Sequence, residues 1–198
     1  MDLDDPIALA LAIAEALRAE EIPHALYGGL LLAAYGEARE TRDVDLAVAQ
    51  ADATSVGRLL ASELGLRTLP AFDRRVFGGL RISRITLVEG DAHNSLDLVE
   101  PRDPAYAMRA LSRAIESSLR DRPIHVLGAE DFVLLKLLST RERDLADAES
   151  VLRGLRDELE RDLIEREVER LAAGIPDYDV RARWRRLTEG AARESGPR

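Results

Sequence analysis

Two glycines and two carboxylates are the residues whose types and spacing could do chemistry. Gly28 and Gly29 close a short apolar run, Ala25-Leu26-Tyr27, and after thirteen intervening residues come Asp43 and Asp45, one residue apart. Val44, Leu46 and Val48 alternate with Asp43, Asp45 and Ala47. That period of two places the apolar residues in a core and both carboxylates on the opposite strand face. Carboxylates about 7 Å apart along one strand face repel each other unless a cation lies between them. Hard oxygen pairs suit magnesium, which keeps waters and shares its shell with substrate phosphates. Glycines ahead of a helix let backbone amides approach a phosphate, and the helix N-terminus favours its charge. A Gly-Gly alone is ordinarily a turn, and an Asp-x-Asp alone is ordinarily solvated. Together at this spacing they point to a metal–nucleoside triphosphate site.

The elements that must hold these residues follow from the local patterns. A strand over Ala25–Tyr27, a glycine turn, a helix over Leu30–Tyr35 closed at Gly36 and a strand carrying the acids make the first unit. Before it, Pro6–Glu20 reads as a helix capped by Asp4 or Asp5 with Pro6 near its first position. After it, Ala53–Leu64 reads as a helix closed by Gly65. Leu66–Leu69 and Phe72–Phe77 suit short strands or an edge segment, and Arg81–Val88 a strand ending at the Gly90-Asp91 turn. Ser95–Val99 alternates as a strand, with Asp97 facing away from Leu96 and Leu98. An antiparallel neighbour of the Asp43/Asp45 strand is the expected place for this third carboxylate. Pro104–Leu119 is expected to be one helix and Pro123–Leu127 a strand. Lys136 sits among Phe132, Val133, Leu134, Leu135, Leu137 and Leu138, so its ammonium needs a partner or must snorkel to water. Ser139-Thr140 breaks that helix ahead of a second one bearing Asp144 and Asp147 on one face.

Gly28-Gly29 followed by Arg39, Thr41, Asp43, Asp45 and Leu46 resembles the signature of the polymerase-β-like nucleotidyltransferase superfamily. The likeness spans Ile22 to Leu152 and is nearest to the bacterial branch of AbiEii-like toxins and small antibiotic nucleotidyltransferases. It implies an α/β (α+β) nucleotidyltransferase fold, a small mixed sheet flanked by helices. Residues 1–128 would form the catalytic domain and 129–198 a helical C-terminal region. It implies transfer of a nucleoside monophosphate from a triphosphate to an acceptor hydroxyl. Asp43, Asp45 and Asp97 would be catalytic and would ligate two Mg2+ ions, with Mn2+ as a substitute. Gly28, Gly29, Arg39, Thr41 and Lys136 would bind nucleotide. Lys136 and the Arg143-Asp144-x-x-Asp147 run resemble the branch's later motifs, with Asp144 and Asp147 supporting the site. Arg143 stands where relatives often carry lysine.

Composition bounds the partners. The chain has 198 residues, 46% hydrophobic and 33% charged, enough for one domain with a buried core and a helical appendage. A net charge of −9 removes any global attraction to nucleic acid, so DNA is not expected as a partner. Zero cysteines exclude disulfides, thiolate metal sites and a cysteine nucleophile. No apolar run has the length of a membrane span, and the acidic start (Asp2, Asp4, Asp5) is unlike a secretory leader; a cytoplasmic protein is expected. His24, His93 and His125 have no partner at metal-ligand spacing. Beyond Leu152 the pattern is helical, with Leu155, Leu159, Leu163 and Leu171 as an apolar stripe and fraying expected from Glu189. Arg181, Arg183, Arg185 and Arg186 around Trp184 suit the outer face of a packed helix, or an acidic partner.

The acceptor stays open between a small molecule, a tRNA and a protein side chain, and a cognate antitoxin is a further candidate partner. Two other functions fit the same acids. One is a non-catalytic nucleotide-binding or antitoxin-type interaction module, which would bind nucleotide without turnover. The other is a metal-dependent hydrolase, which would release monophosphate without an acceptor.

Overall fold

In the computed structural model, which describes residues 1–194, helix α1 (Pro6–Ala19) leads to strand β1 (His24–Tyr27) and helix α2 (Gly28–Tyr35). Strand β2 (Val44–Val48), helix α3 (Ala53–Leu64) and strands β3 (Arg67–Phe77), β4 (Leu80–Glu89) and β5 (Ala92–Pro101) follow. Helix α4 (Pro104–Ser112) and strands β6 (Ile115–Leu119) and β7 (Arg122–Val126) complete the sheet. Helices α5 (Ala129–Leu138), α6 (Glu142–Leu155), α7 (Arg161–Gly174) and α8 (Val180–Glu194) end the described chain, with a 3-10 turn at Arg156–Glu158.

The seven strands form one mixed sheet in the order β3-β4-β5-β2-β1-β7-β6. Its middle is the driest part: Leu26, Val44, Leu46, Leu96 and Leu98 are all buried. Helix α1 packs on β1, β2 and β7, α3 on β3 and β4, α4 on β5 and β2, and α5 among α6, α7 and α8. The expected mixed α/β architecture is the one observed.

Local chemistry sets most boundaries. Asp5 accepts a hydrogen bond from the Ala8 amide at 3.1 Å and caps α1, with Pro6 at its first position. Asp52 caps α3 through the Ser55 amide at 2.8 Å, and Gly65, at φ +68°, closes it in the left-handed region. Helix α2 starts at the glycines themselves, two residues before Leu30, and closes at Gly36. The chain breaks after Leu138 as expected, but Arg141 is the boundary residue of α6, and the Ser139 hydroxyl accepts from its amide at 3.2 Å.

Three expectations are corrected. Strand β5 lies parallel, not antiparallel, to β2. Helix α3 carries the chain across the sheet, and the two antiparallel reversals β3–β4 and β4–β5 restore the direction of β2. Of the two expectations for Leu66–Leu69 and Phe72–Phe77, the edge segment is the one observed: both fall on the edge strand β3 from Arg67 on, whose Pro70 and two register shifts an edge tolerates. The helix expected over Pro104–Leu119 stops at Ser112, where Arg113 turns inward to Asp131 at 2.7 Å. Its second half is β6, joined to β7 by Arg120 and Asp121, both at positive φ (50° and 61°), as a two-residue hairpin turn demands. Finally, the leucine stripe beyond Leu152 is split over α6, the 3-10 turn and α7, and the chain is still helical from Glu189 to Glu194. The rest of the expected frayed end, 195–198, lies outside the described residues.

The buried face of α7 is Ile164, Glu167, Val168 and Leu171. Glu167 is fully buried and accepts from Arg109 Nε and Nη2 at 3.0 and 2.7 Å, from Arg113 at 3.4 Å and from Arg170 at 3.1 Å. Burial pushes its carboxyl up, but the Arg109 hydrogen bonds and the arginine charges outweigh that and leave it below the usual range. This cluster pins α7 to α4. Replacing one partner of a buried ion cluster strands the others, so Glu167→Ala is expected to cost about 3 kcal/mol in urea unfolding. A loss below about 1 kcal/mol would show the cluster to be dispensable.

Candidate functional site

The site is built where β1 hands over to α2. Gly28 has φ +71°, and a Cβ there would fall 2.0 Å from Asp45 Oδ2. Only glycine permits that approach of backbone and carboxylate. A Cβ on Gly29 would stand 2.8 Å from Thr41 Cβ and Oγ1, so the segment leading to β2 lies against the turn. Tyr27, the residue before α2, makes no side-chain cap, and it is the Asp45 carboxylate that meets the Gly29 amide. The Thr41 hydroxyl donates to the Asp43 carbonyl at 3.5 Å.

Register brings the acids together. Asp45 is paired with Tyr27 on β1 and with Asp97 on β5, so the three side chains share one sheet face. Asp43 stands one residue before β2, with its side chain half exposed. Asp97 is buried, and its Oδ1 and Oδ2 accept from Arg84 Nε and Nη2 at 2.7 Å each. The same Nη2 lies 3.9 Å from Asp43 Oδ2. These hydrogen bonds hold the Arg84 guanidinium still further above its ordinary value.

Asp45 keeps some contact with solvent although protein surrounds it. Burial, then the Asp97 charge, pushes its carboxyl up to about 7, against the pull of the Lys136 ammonium and the Gly29 amide. Two in-register carboxylates cannot both ionise cheaply in such a place.

Lys136 does not snorkel. It is buried, its Nζ donates to Asp144 Oδ1 at 2.7 Å and Asp147 Oδ2 at 2.8 Å, and it lies over the Tyr27 and Phe132 rings at 5.3 and 5.4 Å. Burial raises the Asp144 carboxyl, but Lys136 and the Ser139 hydroxyl bring it below the usual range. Arg39 Nη2 reaches Asp147 Oδ2 at 3.4 Å, while Arg39 Nε is buried without a partner. Lys136, Asp144, Asp147 and Arg39 therefore form one cluster with balanced charges, in which the Lys136 ammonium is the member that acts on Asp45.

Two residues of this site escaped the sequence reading. Arg84 alternates with Ile85 and Leu87 on β4, and such a pattern looks like a solvated strand face. Asn94 Nδ2 donates to the Leu3 and Arg42 carbonyls at 2.6 and 3.1 Å, which fixes the segment just before Asp43. Beside it, a cavity of about 390 Å³ is walled by Leu3, Asp4, Arg42, Asp43, Asp91 and His93. Three of the four arginines near Trp184 are engaged internally: Arg181 with Glu169, Arg186 with Glu142, and Arg183 Nε with the Leu137 carbonyl at 2.9 Å.

Asp43 and Asp45 offer the hard oxygen donors that magnesium takes. Asp97 fits such an ion only if it leaves Arg84. Accordingly, among the described residues no three acidic or histidine side chains stand arranged as a ready metal cage. No helix among the described residues is long and apolar enough to cross a membrane.

No family model matches the chain. No curated protein matches it either. Solved structures do. An antigenic nucleotidyltransferase-like protein from Paracoccidioides brasiliensis superposes over 75% of this chain and 76% of its own, with TM-score 0.50 and 18% identity. The solution structure of the antibiotic-resistance factor ANT(2'')-Ia superposes over 84% and 93%, with TM-score 0.51 and 15% identity. The fold is that of the nucleotidyltransferases.

The raised Asp45 carboxyl makes stability fall with pH. The unfolded chain loses this proton near the ordinary value of 3.8 and the folded one near 7, so the folded state binds more protons in between. Its contribution is full below about pH 4 and lost as pH rises through about 7. In chelator-treated protein, Asp45→Asn is expected to match wild type near pH 4 and to melt several degrees higher at pH 8. Parallel melting curves at both pH values would contradict the pairing of Asp45 with Asp97.

Proposed function

We propose that this chain transfers a nucleoside monophosphate from a nucleoside triphosphate to an acceptor hydroxyl. One observation carries the reading: Asp45 packs on the Gly28 turn while Asp43 and Asp97 reach the same face. The glycine turn lets a phosphate approach the α2 amides once Asp45 turns from the Gly29 amide to the cation that a triphosphate brings, and the neighbouring acids suit that cation. Residues 1–128 then act as the catalytic domain, and 129–198 contribute Lys136.

Gly28 and Gly29 give the triphosphate its cradle, and Thr41 holds the loop over Gly29. Arg39, with an unpartnered buried donor, adds a phosphate contact. Lys136 supplies positive charge beneath the nucleotide, and Asp144 and Asp147 hold it there. Asp43 and Asp45 would hold magnesium, with Asp97 reaching a second ion. When bound, the metal neutralises charge on the α-phosphate and the leaving pyrophosphate. The acceptor oxygen bonds to the α-phosphorus as the α–β anhydride bond breaks. Asp97 takes the acceptor's proton. The cavity walled by Asp43 has the size of a small-molecule site and gives the acceptor room. Engagement of Arg181, Arg183 and Arg186 within the protein weighs against a tRNA acceptor.

The AbiEii-like assignment, and with it a toxin role and an antitoxin partner, rests on Lys136 and the Arg143-Asp144-x-x-Asp147 run. A second reading, nucleotide binding without turnover, is favoured by the Arg84–Asp97 pair, which keeps a catalytic acid engaged.

The test is incubation with an α-phosphate-labelled triphosphate, magnesium and fractionated lysate. Label is expected to enter one acceptor fraction. Asp43→Asn or Asp45→Asn is expected to lower that transfer by at least about a thousandfold while far-UV circular dichroism stays unchanged. Wild-type transfer by either variant would refute the assignment, and labelled monophosphate formed without any acceptor would make the chain a hydrolase. Nucleotide bound tightly with no acceptor labelled would select the second reading.

A further inference from the structure

Arg84 is the charged group of the site for which the transfer chemistry has no role. It lies on β4 directly opposite Asp97. Its two nitrogens grip both oxygens of that carboxylate at 2.7 Å, the two-pronged fit that a guanidinium makes with a carboxylate. The Asp97 side chain is only 4% exposed and that of Arg84 32%, so the guanidinium covers the acid while part of the Arg84 side chain stays in contact with solvent. Asp43 Oδ2, 3.9 Å away, is the next acid along. A cation is thus already seated between two of the three acids.

We infer that Arg84 is the resident counter-cation of this site, and that Asp97 becomes a metal ligand only by exchange. The guanidinium leaves Asp97 as a divalent ion arrives and turns its donors toward the phosphates. This rests on the assignment of Asp43 and Asp45 to the metal.

Three physical points carry it. Lys136 is already bound by Asp144 and Asp147, so Arg84 is the cation in contact with Asp97. A guanidinium cannot be neutralised by losing a proton at any working pH, so it gives way only by moving. The movable partner is Arg84: Asp97 is short, buried and on a strand paired on both sides, whereas the Arg84 side chain is long and partly exposed to solvent. The exchange keeps the local charge nearly constant, because the incoming ion replaces one cation on Asp97 while phosphates receive the other. Metal entering without nucleotide has to displace two charge-assisted hydrogen bonds and leaves Arg84 with no phosphate to meet.

The test is a Mn2+ titration of the chelator-treated full chain, without nucleotide, read by electron paramagnetic resonance of the free ion. Arg84→Gln is expected to bind Mn2+ at least about tenfold more tightly than wild type. Adding Asp97→Asn to it should return the affinity to the wild-type level, while Asp97→Asn alone changes little, because Arg84 already withholds that acid. Arg84→Lys keeps the charge but loses the fork, so it should show a smaller gain, and it carries the test if the glutamine variant does not fold. Wild-type affinity in both Arg84 variants, with binding still weakened by Asp45→Asn, would overturn the exchange and leave the metal assignment intact. Absence of Mn2+ binding at millimolar ion in every form would remove both.

Discussion

Two carboxylates side by side in the middle of a sheet are the constraint on which the rest depends. Asp45 and Asp97 occupy paired positions on parallel strands, so their charges meet at the spacing of neighbouring chains. A protein of marginal stability keeps such a pair only where surrounding charges compensate it or where one member holds a proton. Here both occur: Arg84 clasps Asp97 and Asp45 retains its proton up to about 7.

The compensation comes from two directions, and each recruits a part of the fold. From the sheet, the β4–β5 pairing delivers Arg84. From the helical side, α5 delivers Lys136 under Tyr27, and α6 supplies the Asp144 and Asp147 that make its burial tolerable. Arg39, from the segment between α2 and β2, closes the same cluster on Asp147. The helices after residue 128 are therefore joined to the acid site by charge as well as by packing. A buried lysine with two carboxylates is a weak source of net stability, but removing any one member leaves the others unpaired. That asymmetry fixes where α5 and α6 must sit relative to the glycine turn.

What was legible in the sequence was what is local. Gly28, Gly29, Asp43 and Asp45 lie within one strand–turn–helix–strand unit, and spacing alone places them together. Asp97 was legible as a strand acid, but its strand's direction depends on how many reversals separate it from β2, which no window reports. The β6–β7 hairpin was hidden because Ile115 continues the helical spacing of Tyr106, Met108 and Leu111. Arg113 ends that spacing by turning to Asp131, and the turn at Arg120 and Asp121 lacks the Asn-Gly or Asp-Gly that announces such a hairpin. Arg84 was hidden for a related reason. One polar residue in an alternating strand looks solvated until the partner strand shows which acid it faces. Lys136 was visible as a charge needing a partner, and its partners were already marked as Asp144 and Asp147, but only the packing of α5 on α6 joins them.

The central claim is that the glycine turn and the acids beside it form one triphosphate–metal site. Amide hydrogen exchange tests it most directly, comparing the protein with and without magnesium and a triphosphate blocked at its α–β bridge. The account predicts slowed exchange at Gly28 to Leu31 and across the Thr41–Asp45 segment, with little change at the distant β6–β7 hairpin. Unchanged exchange at the turn under saturating ligand, or protection confined to another face, would contradict it.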